Sequence, residues 1–132
     1  MSTLRKLRED LADLLRDQVP GVNVYPHVPA APMVPAVILS QDEPYLEPST
    51  LGRDPVRVMV RLRVHVLVGM ADNAGAQDRI EQLVVAVLAG FPSGWQVGPV
   101  SRAGLTTIGT TDVLETDLTV ATTVTLPAEV NP

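Results

Sequence analysis

The chain has 132 residues, 45% of them hydrophobic, enough for one domain with its own core. It has no cysteine and two histidines, His27 and His65, which excludes a disulfide framework, a thiolate metal site and a cysteine nucleophile and nearly excludes a multi-histidine metal site. A net charge of −5 argues against wrapping nucleic acid, whose phosphates are held by lysine and arginine, whereas a surface that merely lets DNA pass gains from acidity.

At the N-terminus, Leu4, Leu7, Leu11, Leu14 and Leu15 recur at spacings of three and four among charged residues. That pattern predicts an amphipathic helix with Ser2 or Thr3 as N-cap and Pro20-Gly21 as terminator. Val22 to Tyr25 reads as a short strand, followed by a proline-rich stretch from Pro26 to Pro35. Ala36 to Ser40 is a second short strand, uniformly apolar and so expected to be buried on both faces. Gln41 to Pro55 contains Pro44, Pro48, Gly52 and Pro55 with Asp42, Glu43, Glu47 and Asp54, and reads as a long functional or mobile loop.

Val56 to Val68 is the most informative segment. Every even position is aliphatic, while Arg57, Arg61, Arg63 and His65 occupy odd ones. Such alternation predicts one long strand with an apolar and a polar face. After a turn from Gly69 to Gly75, with Asp72 or Asn73 as N-cap, Ala76, Ile80, Leu83, Val84, Val87 and Leu88 form the stripe of a second helix ending at Gly90. Trp95 to Arg102 and Gly104 to Ile108 are candidate short strands. Asp112 to Leu126 is another long one, with Thr116, Leu118, Val120, Thr122, Val124 and Leu126 on one face. The expected fold is α+β, a twisted, mostly antiparallel sheet with two helices packed on one face.

The two long strands are expected to be antiparallel neighbours. A register in which residue numbers sum to about 178 sets Arg63 opposite Glu115 and Arg61 opposite Asp117. Alternatively, the basic row pairs with an acidic loop of an adjacent subunit.

Candidate chemistry is sparse. His65 lacks a second histidine or an adjacent carboxylate in sequence, and His27 sits among prolines, so neither reads as a ligand or general base. Asp42, Glu43 and Glu47 do not have the spacing of a calcium loop. No G-x-S-x-G surrounds Ser93 or Ser101, and the Gly104 to Gly109 segment has no lysine for a phosphate loop. Tyr45 and Trp95 fall in predicted loops and are candidate interface anchors, Trp95 alternatively capping the core. No catalytic residue, cofactor or metal is expected. No stretch approaches 18 apolar residues and no apolar run follows Met1 to Lys6, so neither a membrane span nor a signal peptide is expected.

The order of features resembles the tail terminator, or tail completion, proteins of long-tailed bacteriophages. The resemblance is carried by an amphipathic N-terminal helix, Val22-Asn23-Val24-Tyr25-Pro26, a proline-rich stretch and the strand Pro35-Ala36-Val37-Ile38-Leu39. A long polar loop, the alternating strand Val56 to Val68, the helix Asp78 to Leu88 and a final alternating strand complete it. It implies residues 1–132 as a single domain, with a long loop at 41–55 and a short tail at 127–132. It further implies a hexameric ring at the head-proximal end of the tail tube, assembled in the host cytoplasm into the virion. Its partners would be its own copies, the major tail tube protein and a head-completion or stopper protein, with DNA passing through the lumen without specific binding. Other head-tail connector or neck proteins share this outline. A small monomeric binding module or enzyme, with the proline-framed loop as lid, is the reading from a different class. On the ring reading, the interface residues expected are Arg57, Arg61, Arg63, Glu115 and Asp117 on the sheet and Asp42, Glu43, Tyr45, Glu47 and Arg53 in the loop.

Overall fold

The computed structural model describes residues 3–48, 56–70 and 73–126. The predicted N-caps Ser2 and Asp72, the loop residue Arg53 and the tail 127–132 lie outside them. Within them run α1 (Thr3–Gln18), β1 (Asn23–Tyr25), β2 (Ala36–Pro48), β3 (Val56–Gly69), α2 (Asn73–Ala89), β4 (Gln96–Val100), β5 (Gly104–Ile108) and β6 (Thr111–Leu126). The six strands form one open sheet in the order β1-β2-β3-β6-β4, with β5 also paired to β6. Every pairing is antiparallel except β1 with β2. The architecture is the α+β one that the periodicities predict.

The centre of the sheet is the β3–β6 pair. It is continuous over the whole 14-residue length of β3, from Val56 opposite Leu126 to Gly69 opposite Val113. Alternation sends Val58, Val60, Leu62, Val64, Val66 and Val68 to one face with Leu114, Leu118 and Val120. Leu11, Ala12 and Leu15 of α1 and Ala76, Ile80, Leu83 and Val87 of α2 close over that face. Each buried valine or leucine there contributes about 1.5–3 kcal/mol over an exposed one.

The expected strand pairing therefore holds, but its register differs. Arg63 stands opposite Thr119 and His65 opposite Asp117, four residues from the predicted alignment. An even displacement preserves which face each side chain takes, so hydrophobic patterning could not tell the two alignments apart. The observed one pairs all of β3, and β6 itself follows β5 through a tight turn in which Gly109 has a φ of +62°.

Three further expectations are corrected. Residues 41–48 are not loop: β2 continues through Pro44 to Pro48, with a bulge in which 42–45 interrupt the ladder between Gln41–Leu62 and Leu46–Val60. Proline is tolerated because this part of β2 is an outer strand, β1 pairing it only at 36–38. Tyr45 is thus in the bulge, half-buried against the main core, and not on a free loop. Leu14, assigned to the buried stripe of α1, is exposed, Ala12 filling the position that faces the core. α2 begins at Asn73, so the expected turn to Gly75 is already helical.

The face opposite the helices is not wholly polar. Ala36, Ile38, Leu67 and Val113 form a second small core there, covered by Tyr25, Val34 and Ile108. Asn23 Nδ2 donates to the Met33 carbonyl and the Met33 amide donates to Tyr25 Oη, which ties the proline-rich segment down at this end. Ala36 to Leu39 consequently lies between two cores, as its uniform apolarity predicts.

Leu62 is fully buried at the centre of β3. Leu62→Ala is expected to lower unfolding free energy by about 2–5 kcal/mol, read from urea denaturation. Val28→Ala, at an exposed position, should stay within about 0.5 kcal/mol. Equal stability of the two variants would mean that this face is not the core.

Candidate functional site

Six of the ten residues singled out in the sequence meet on the polar face of the sheet, where they form a charge ladder across β2, β3 and β6. Arg63 donates from Nε and Nη2 to Asp42 Oδ1, at 3.3 and 3.1 Å, and its Nη1 lies 3.9 Å from Asp117. Arg61 Nη1 is 2.7 Å from Glu47 Oε1, an ion pair whose angle falls outside hydrogen-bonding geometry. His65 Nδ1 is 3.1 Å from Glu115 Oε2. The β3–β6 contacts are diagonal: Arg63 reaches past Thr119 to Asp117, and His65 reaches past Asp117 to Glu115. Side chains of this length bridge a diagonal separation of about 7–8 Å.

The basic row is thus neutralised largely within its own chain. Asp42 and Glu47, which sequence placed in a loop, supply half of the counter-charge because β2 continues far enough to bring them there. Glu43 is left exposed by the bulge, and Arg57 lies exposed near the start of β3.

One arrangement was not visible in the sequence. Ser40 Oγ lies 2.9 Å from His65 Nε2, so that Ser40, His65 and Glu115 stand in the order hydroxyl, imidazole, carboxylate. No motif marks it, since the three residues are brought together only by the pairing of β2, β3 and β6. Nucleophilic hydrolases use this connectivity. Ser40 also lines a cleft of about 380 Å³ with Arg8, His27 and Gln41. It lies within a flat strand and not on the strand-to-helix turn that supplies oxyanion donors in such enzymes. Among the described residues, no group of three or more His, Asp or Glu is placed to hold a metal ion.

The second candidate surface is the β4–β5 edge. β4 and β5 follow one another along the same side of β6, and Ser101 between them is pinned to it. The Ser101 amide donates to the Asp117 carbonyl at 2.8 Å, and Thr116 Oγ1 donates to the Ser101 carbonyl. β4 carries one extra residue between Val97, opposite Val120, and Val100, opposite Leu118. Gly98 sits in that bulge, where a Cβ would come within 2.6 Å of Thr119 Oγ1. The bulge keeps both valines on the helix-bearing face, and Leu105, opposite Leu114, joins them. α2 does not reach far enough to cover this strip. Leu105 is 70% exposed, and Val85 on the flank of α2 is 65% exposed.

No helix among the described residues is long and apolar enough to cross a membrane. No family model matches the chain, and no curated protein matches it. Among solved structures, one chain aligns over 100% of this chain and 99% of its own length, at 19% identity and a TM-score of 0.46.

The Asp42 side chain is 9% exposed, whereas that of Glu47 is 53% exposed. Arg63→Ala should therefore cost about 1–3 kcal/mol, by stranding a carboxylate with little access to water. Arg61→Ala should cost less than about 1 kcal/mol. Urea denaturation of the two variants checks the order, and an equal or reversed loss would contradict the ladder.

Proposed function

We propose that the chain is a structural ring subunit of the tail-terminator type. Several copies, six on the family pattern, close at the head-proximal end of a phage tail tube and stop its growth. The upper surface of the ring then meets a head-completion or stopper protein, and DNA passes through the lumen without specific binding. Another station in the head-tail neck is the nearest variant of this reading.

The observation that carries it is the one-sided covering of a long sheet. Two helices shield one face, yet the β4–β5 edge keeps an exposed apolar strip of Val97, Val100 and Leu105, continued by Val85 and Leu88 on α2. Continuous apolar exposure of this kind marks a protein contact in a subunit that otherwise buries its core. The order of elements over the described residues supports the same assignment, as does a net charge of −5, which suits a passage that must not retain DNA.

Native mass spectrometry with negative-stain microscopy tests the reading. A closed ring of identical copies, formed alone or on addition of tail-tube protein, is the expected result. A chain that stays monomeric under both conditions overturns it.

A second reading, a hydrolase, rests on the Ser40–His65–Glu115 relay beside its cleft. A fluorophosphonate probe decides it. Labelling at Ser40 that is lost in His65→Asn would favour the enzyme, and on the ring reading Ser40 stays unlabelled.

A further inference from the structure

We propose that the β2–β3 hairpin arm of one copy docks beside α2 and the β4–β5 edge of the next, with Leu46 meeting Val85 and Val100 and Glu43 meeting Arg102. The inference rests on the ring reading and names the contact that closes it.

The receiving surface is a groove of about 320 Å³ between α2 and the β4–β5 edge, walled by Val84, Val85, Val100 and Ala103 with Arg102 at its lip. From Gly90 to Thr111 the sequence contains a single charged residue, Arg102. It is exposed and has no carboxylate partner among the described residues. The groove is therefore largely apolar; Glu81, which also lines it, accepts a hydrogen bond from Gln77, and Arg102 is the charge there without a partner among the described residues.

The arm has the complementary character. Residues 41–48 hold three acids and no base. Asp42 and Glu47 are engaged by Arg63 and Arg61, which leaves Glu43 exposed without a cation partner among the described residues. Leu46 stands opposite the buried Val60, hence on the helix-bearing face, yet it is an exposed hydrophobe. The apolar strip on β4–β5 lies on that same face. Pro44 and Pro48 remove backbone donors from the arm, so its contacts run through side chains and not through an added strand ladder.

Topology supplies the direction. In the order β1-β2-β3-β6-β4, the arm and the groove lie on opposite sides of the central β3–β6 pair. A surface at one side that fits a different surface at the other makes a heterologous, head-to-tail contact, which closes into a ring when the rotation per subunit permits. A two-fold dimer would instead require one patch that fits itself.

The chain contains no cysteine, so engineered cysteines report contacts without background. The test is oxidative cross-linking of Leu46→Cys, Val100→Cys and the double variant, with circular dichroism and thermal melting to confirm that each folds as the parent. The double variant should give a ladder of covalent oligomers ending at the ring, and neither single variant should cross-link. Glu43→Arg and Arg102→Glu should each weaken association at least about tenfold, and the double charge swap should restore it. Rings without 46–100 cross-links would overturn this docking and leave the ring reading standing. Dimers from either single-cysteine variant would overturn it in favour of a two-fold contact. A parent chain monomeric even with tail-tube protein would remove the ring reading and this inference together.

Discussion

The structure depends on one constraint: the period-2 alternation of β3 must face the same way as that of β6 along their full common length. Val58, Val60, Leu62, Val64 and Val66 are buried only because their neighbours Arg61, Arg63 and His65 point away from them. A slip of one residue would bring the guanidinium groups under α1 and α2 and the valines into water, exchanging both faces at once. The helices, the second core and both sheet edges are arranged around this pair.

Parity alone leaves even displacements open, and charge helps to choose among them. In a directly opposed register Arg63 would meet Glu115 and Arg61 would meet Asp117, and His65 would face Val113 in place of a carboxylate. In the observed register Arg63 is shared between Asp42 and Asp117, His65 takes Glu115, and Arg61 is free for Glu47. Three strands are then joined across one face. Such pairs contribute modestly one by one, and their value lies in disfavouring the alternative alignments.

Much of this was legible in the sequence. Helical spacing marked α1 and α2, alternation marked β3 and β6, and the unbroken apolar run of Ala36 to Leu39 marked a strand enclosed on both sides. What escaped prediction depended on contacts distant along the chain. Pro44 and Pro48 signal a loop locally, but an outer strand with a bulge accepts both, so β2 runs on and carries Asp42 and Glu47 to the arginines. Val113 belongs by alternation to the polar face, yet the folded-back proline segment turns that end of the face into a core. Val85 lies off the predicted stripe of α2 and its exposure becomes meaningful only beside Val100. Ser40 had no partner within its own segment. Of the candidate site, sequence thus identified the charged residues and expected the arginines to pair with acids of β6, but not that Asp42 and Glu47 of β2 answer them.

Charges that already answer one another are poor contacts for another copy of the chain. A row of arginines on a long strand invites an acidic partner, but a charge already paired must lose its existing partner before it gains a new one, and the net gain is small. The unpaired features are elsewhere: Glu43 and Leu46 on one side of the sheet, Arg102 and an uncovered apolar strip on the other. They differ in chemistry and stand apart in space, because β3 and β6 occupy the middle of the sheet. The pairing that creates the core therefore also gives the chain two unlike ends, and in the proposed ring unlike ends would give assembly a direction.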